Sequence, residues 1–319
     1  MKRIDSWRLR EELRGHPMTP ARLRHCGNTR YKREVELQTS GASAWWDGVV
    51  CCRSRTCPTC FVARRFKLAR EISQVVHERE HETCRQSMLA TLTVRHSAGD
   101  PVTLPREVRK VWRRMVQSRR WQALKRDYGV EWIAAEEITH GPNGWHPHMH
   151  VLLMPRVHLD PDDHLNSAFD WHSWWAGLVR KYIGASNEPS REHGCDLQAC
   201  DSAEYLSKIG LELSDPAMVK GRSPLGLLEH GEIDRYLELQ VTRTRARDVT
   251  WSRGLKGIRE ALPKPEPPAT LATLQGSEWW LLRQWGWAVP LDIAERSETP
   301  EIAQELVKQA LAGKSPARG

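Results

Sequence analysis

The chain has 319 residues, 39% of them apolar and 28% charged, with a formal net charge of +8. That size allows one large domain or two modest ones, and the charge suits a polyanionic partner such as nucleic acid. No run approaches the roughly 20 apolar residues of a membrane helix, and Met1-Lys2-Arg3-Ile4-Asp5 has no apolar signal core behind it. A cytoplasmic protein without membrane contact is therefore expected. Thiols stay reduced in that compartment, so the eight cysteines read as metal ligands before disulfides.

In chain order, a short helix is expected near residues 5–14. Residues 26–60 read as loop-like and cysteine-bearing. Residues 61–82 read as a basic helix carrying Arg64, Arg65, Lys67 and Arg70. Met88–Val94 alternates and is rich in β-formers, which predicts a strand. Residues 106–127 read as one helix, with Val108, Trp112, Met115 and Val116 on its apolar side. Its other surface carries Arg109, Lys110, Arg113, Arg114 and Arg120, either a solvated face or a track for phosphates. Strands at Glu131–Thr139 and Trp145–Met154 flank Gly141-Pro142-Asn143-Gly144, a turn signal that makes them an antiparallel hairpin. Helices are expected at 161–182, 201–213, 229–246 and 300–311, with a short strand near 194–199. Pro263–Pro268 reads as a linker. The pairs Trp45-Trp46 and Trp279-Trp280 read as core residues, with base stacking the alternative.

The run His146-Pro147-His148-Met149-His150 lies on the returning strand. Side chains at i, i+2 and i+4 of a strand share a face, so the three imidazoles form a row that can hold a divalent cation. Glu137, across the hairpin, is the best further ligand for magnesium or manganese, while Glu136 points the other way. Read alone, the run also fits histidine-triad nucleotide hydrolases.

The segment Ala203-Glu204-Tyr205-Leu206-Ser207-Lys208 separates these readings. On a helix Asp201, Tyr205 and Lys208 share one side. A tyrosine hydroxyl beside a cation and a lysine is equipped to attack a phosphodiester.

Cys51, Cys52, Cys57 and Cys60 form a knuckle, and Cys26 can supply a further thiolate. The spacing predicts a closed, structural zinc site and admits either Cys51 or Cys52. Cys84, Cys195 and Cys200 read as buried or incidental.

Together these segments resemble the replication initiators of rolling-circle plasmids, the single-tyrosine branch of the HUH endonucleases. Thr91-Leu92-Thr93-Val94, Glu137 with His146–Leu152, Tyr205-Leu206-Ser207-Lys208 and Trp251-Ser252-Arg253-Gly254-Leu255 carry the likeness, in the family's order. So does the Cys52–Cys60 segment, which favours Cys52 over Cys51. The resemblance implies an α+β fold, a central antiparallel sheet with flanking helices, preceded by a zinc-binding segment. It implies segments at 1–84 (zinc-binding and basic), 85–260 (nicking) and 261–319 (linker and tail). It implies Tyr205 as nucleophile, a cation on His148, His150 and Glu137 with His146 undecided, and Asp201 or Glu204 activating water at termination. Origin DNA, a host helicase and a polymerase would be its partners. A related transposase and a non-catalytic zinc DNA-binding protein are the rival readings.

Overall fold

The computed structural model describes residues 3–30, 34–40, 43–54, 57–83, 87–96, 101–157, 170–200, 221–240, 249–262, 267–286 and 288–312. In chain order its elements are α1 (Arg3–Gly15), α2 (Ala21–Arg24), β1 (Val35–Ser40), β2 (Ser43–Asp47), α3 (Pro58–Thr83) and β3 (Ser87–Thr93). Then come α4 (Thr103–Gln117), α5 (Arg119–Tyr128), β4 (Glu131–Gly141), β5 (Gly144–Met154), α6 (Trp171–Tyr182) and β6 (Cys195–Cys200). The rest are α7 (Pro224–Glu229), α8 (Ile233–Gln240), β7 (Val249–Trp251), α9 (Arg253–Ala261), β8 (Ala269–Leu274), α10 (Gly276–Trp285), α11 (Ala288–Arg296) and α12 (Pro300–Ala312). The fold is mixed α+β with antiparallel sheets and flanking helices, as expected. Among the described residues no helix is long and apolar enough to cross a membrane.

Packing divides the chain into residues 1–63 with 263–319, and residues 64–262. The first unit holds a three-stranded sheet, β2-β1-β8. Val35 and Leu37 of β1 are fully buried, facing Leu274 and Trp46 in register. Trp7, Trp279, Leu282, Leu291 and Val307 complete this core, and Trp46 lies 5.0 Å from Trp279, ring to ring. One member of each tryptophan pair is thus core, as read. Trp45 and Trp280 are exposed.

This unit departs from the sequence expectations. Residues 26–60 are not simply loop: Val35-Glu36-Leu37-Gln38 alternates apolar and polar and forms β1, which β8 joins from the far end of the chain. The segment after the proline-rich stretch is therefore a structural partner of the N-terminus, and the division by packing differs from the segments 1–84, 85–260 and 261–319.

The second unit holds a five-stranded antiparallel sheet, β6-β3-β5-β4-β7. Successive side chains alternate between its faces. Ala90, Leu92, Ala134, Met149 and Val151 face α4, α5 and α6 across a core containing Val108, Trp112, Met115, Trp121 and Trp175. Leu89, Ile133, Ala135 and Leu152 face the other way, against Ile72, Val75 and Val76 of α3 and Leu255 of α9.

The helix expected at 106–127 is two helices. Ser118 is extended (ψ 156°), and its hydroxyl accepts the Trp121 amide, starting α5. Of the helix expected at 229–246, α8 (Ile233–Gln240) is described and 241–246 lie outside the described residues; a separate helix, α7, ends at Glu229, and Gly231, at φ +75°, lies between the two. Of the helix expected at 161–182, Trp171–Tyr182 is described, capped by Asp170 accepting the Ser173 amide at 2.9 Å. The helix expected at 201–213 lies outside the described residues.

Candidate metal centres

The β4–β5 hairpin builds the first centre. Pro142-Asn143 makes the turn and Gly144 follows at φ +89°, a conformation that suits a residue without a β-carbon. The register sets Glu137 opposite His148, Ala135 opposite His150 and Thr139 opposite His146. On the other side β3 sets Thr91 opposite His150 and Thr93 opposite His148. The row of imidazoles and the carboxylate therefore share one face of the sheet.

Glu137 Oε2 accepts hydrogen bonds from Nε2 of His148 and from Nε2 of His150, the latter at 2.8 Å. Glu137 is 8% exposed and His148 9%. Burial works to raise the Glu137 pKa. The charge of His148 and the hydrogen bonds from both histidines outweigh it, holding the carboxyl well below the usual glutamate value. His150 Nδ1 is hydrogen-bonded to Thr91 Oγ1 at 3.2 Å, which orients its ring.

Glu137, His148 and His150 each bring one donor atom within 4.8 Å of the others. Octahedral donors around a small divalent ion stand about 3.0 to 4.2 Å apart, so these three atoms are close enough to share one. The donor set fits. Without a cation, the two Nε2 atoms can both face one carboxylate oxygen only if each carries a proton. A divalent ion would take the place of both protons, and Glu137, His148 and His150 would hold it with room for a phosphate oxygen or water.

His146 stands outside that set. Its ring stacks on His96 (centroids 4.2 Å apart, planes at 13°) and lies 5.2 Å from His148. Burial, then the charges of His148 and His96, push its pKa down to about 4. Glu136 points to the opposite face, as expected, where its carboxylate pairs with Arg109 at 2.6 Å. Several basic side chains of α4 and α5 have partners within the protein, while Arg113 and Arg114 are exposed. Lys110 pairs with Glu107, Arg114 lies over Tyr182 and Arg120 over Trp174. Arg65 of α3 is buried.

The second centre gathers Cys26, Cys52, Cys57 and Cys60, whose donor atoms also lie within 4.8 Å of one another. Sulfur separations are 3.5 Å (Cys26–Cys60), 3.7 Å (Cys52–Cys60) and 3.7 Å (Cys26–Cys57). A disulfide needs about 2.05 Å. A zinc tetrahedron with Zn–S near 2.3 Å has sulfur–sulfur edges of about 3.8 Å, so these residues fit zinc. Arg53 has φ +53°, the one positive value outside glycine among the described residues. The turn it makes brings the Ser54 amide to donate to Cys52 Sγ at 3.4 Å. Hydrogen bonds from Cys52, Cys57 and Cys60 hold the Cys26 thiol well below its usual pKa, and Cys26 and the other cysteines push Cys60 well above its own. Four sulfurs this close shed all their protons only against a cation. Cys51 is exposed and outside the cluster. Cys195 is half-buried, its pKa raised to about 12 mainly by burial.

Tyr205, Asp201, Glu204 and Lys208 lie outside the described residues, as does Cys84. Beyond that segment Gly221 packs against Thr139, and Arg222 bridges His140 through two backbone hydrogen bonds. The chain thus re-enters beside the hairpin that carries the histidines. The sequence reading missed His96, which follows β3, and Thr91 as the partner of His150. It also missed Arg10, Arg14 and Arg283, which surround Cys26 and Asn28.

The chain is similar to "Protein rep" of Streptomyces lividans, at 25% identity over 251 residues, covering 62% of this chain and 54% of that one. It is similar to "Protein rep" of a Bacillus species at 28% over 133 residues, covering 40% of this chain and 41% of the other. The chain therefore spans about half the length of these relatives. No solved structure matches it. A family model described as "Replication protein" matches residues 46–205. That stretch takes in three of the four clustered cysteines and the whole histidine hairpin, and ends on Tyr205. With half of its length inside that match, the chain belongs to the replication-protein family of the rolling-circle plasmid initiators.

Proposed function

We propose that this protein starts and ends rolling-circle plasmid replication by nicking one DNA strand at an origin and rejoining it. The carrying observation is the convergence of His148 and His150 on a single oxygen of Glu137, within a family match that reaches Tyr205. The antiparallel sheet that presents these residues is read as HUH-like.

In this reading Glu137, His148 and His150 hold magnesium or manganese. The bound ion supplies positive charge against a phosphate oxygen. Tyr205 Oη attacks phosphorus, the bond to the 3′ oxygen breaks, and a 5′-phosphotyrosine forms. The tyrosine proton is lost and the departing 3′ oxygen gains one, leaving a hydroxyl that primes a polymerase. Lys208 offsets charge on the phosphoryl group. Asp201 or Glu204 activates water at termination. The cysteine centre holds structural zinc. The protein acts in the cytoplasm, with a host helicase separating the strands.

The test is a supercoiled plasmid carrying the protein's own origin, with and without manganese, for the parent and Tyr205→Phe. Open circles and a covalent DNA adduct that need both metal and Tyr205 support the reading. Undiminished nicking by Tyr205→Phe removes the nucleophile. Cleavage confined to mobile-element ends moves the protein to the transposases. Binding without cleavage in any metal leaves a zinc DNA-binding protein.

A further inference from the structure

The cysteine centre is ringed by more positive charge than its visible partners balance. Arg10 is 1% exposed and donates to the Cys26 carbonyl. Arg14 donates to the same carbonyl at 2.6 Å and to Asn28 Oδ1 at 3.0 Å. Arg283, from α10, donates to Asn28 Oδ1 at 2.9 Å. Among the described residues, the ion pairs of all three guanidiniums go to one carboxylate, Glu11. Side-chain exposures of 1%, 24% and 11% keep them from serving as an open phosphate site.

Among the described residues this leaves two positive charges unbalanced in a buried to half-buried setting, which is costly unless something negative lies beside them. Four neutral thiols supply nothing. Four thiolates around a divalent zinc carry a net charge of minus two. We infer that Arg10, Arg14 and Arg283 form the counter-charge shell of a zinc tetrathiolate, and that this shell ties the two ends of the chain to the metal. The inference rests on the zinc reading of the four cysteines.

The shell explains why the first unit joins residues from both termini. Arg10 and Arg14 come from α1 and Arg283 from α10. Trp279, one helical turn before Arg283, donates its indole N–H to the Gly27 carbonyl at 3.0 Å, next to Cys26. The cysteine centre, α1 and α10 thus meet at residues 26–28. Groups that surround metal ligands commonly change affinity by about 10- to 100-fold when removed.

The experiment uses the full chain and measures zinc content and the rate of zinc release to a chromogenic chelator. Arg14→Gln and Arg283→Gln are expected to release zinc about 10-fold faster or more. Arg14→Lys, which keeps the charge, should stay close to the parent. Arg8→Gln, on the exposed side of the same helix, should not change release. Limited proteolysis is the second readout: zinc removal, and Arg283→Gln at limiting zinc, should expose residues 263–319 to cleavage. Purified parent without zinc overturns the zinc reading and this inference with it. Parent with zinc but Gln variants that release it at the parent rate overturns the shell alone. Arg14→Lys failing as badly as Arg14→Gln replaces charge balance by hydrogen-bond geometry and also overturns it.

Discussion

Glu136 and Glu137 are adjacent carboxylates with opposite duties, and exchanging each for glutamine separates them. Glu136 has a 1% exposed side chain, 2.6 Å from Arg109, whose own side chain is 27% exposed. Breaking a buried pair by removing one partner costs about 3–5 kcal/mol. Arg109 keeps some water, and a glutamine oxygen still accepts a hydrogen bond, so about 2–3 kcal/mol is expected for Glu136→Gln. For a unit of about 200 residues each kcal/mol moves Tm by about 2–4 °C, which gives a fall of about 5–10 °C. Metal binding should survive, because Glu136 faces the helices. Glu137→Gln removes the charged ligand itself and should weaken manganese binding at least about 100-fold, beyond the effect of outer partners. The assay is thermal unfolding with and without manganese. An ion at 100 times its Kd adds about 2.7 kcal/mol and one at its Kd about 0.4 kcal/mol, so parent and Glu136→Gln should both gain several degrees and Glu137→Gln about 1 °C or less. A manganese shift retained by Glu137→Gln, or lost by Glu136→Gln, would refute the assignment of faces.

Three further outcomes follow from the geometry. Ser118→Ala deletes the cap of α5 and should cost about 1 kcal/mol, read as a small fall in denaturation midpoint. Trp112 is 2% exposed and packs edge-on against Trp121 and Trp132, and its indole N–H has no hydrogen-bond partner among the described residues. Trp112→Ala should therefore cost about 3–5 kcal/mol, and Trp112→Phe much less, since it also removes a buried unsatisfied donor. Equal losses in chemical denaturation would contradict this. Glu137 has a pKa lowered from 4.5 in the folded metal-free protein. Its contribution to stability is thus fully present above pH 4.5 and fades as pH falls through the lowered value. An acid titration of the metal-free parent should lose stability in that range, and Glu137→Gln should lack that component.

The parts legible in the sequence are those set by short-range physics. Period-two alternation and a two-residue turn place Glu137, His148 and His150 on one face without any knowledge of the rest of the chain. Cysteine spacing brings Cys52, Cys57 and Cys60 together through one turn and the start of α3. What the sequence hid depends on partners far along the chain. Val35 and Leu37 alternate over too few residues to announce a strand, and β1 is completed by β8, more than 200 residues on. The helix break at Ser118 was masked by good helix formers on either side. Arginine in α1 reads as an exposed charge until the fold closes over it, and so Arg10 gave no sign of being buried.

The choice among three identical side chains is where the tertiary structure adds most. The rings of His146 and His150 lie on either side of His148 along the strand, 5.2 and 4.9 Å from it, and only His150 joins the cluster of Glu137 and His148. Glu137 sits opposite His148 and has to lean toward one neighbour. Toward His150 the residue across the ladder is Ala135, which is small, and Thr91 holds the ring by Nδ1 with Nε2 turned inward. Toward His146 the residue across is Thr139, and the imidazole is already stacked on His96. Space and a hydrogen bond favour one histidine, while a stack withholds the other. The pairing of Glu137 with His148 and His150 rather than His146 thus goes with Ala135, Thr91 and His96, which lie outside the three-residue cluster.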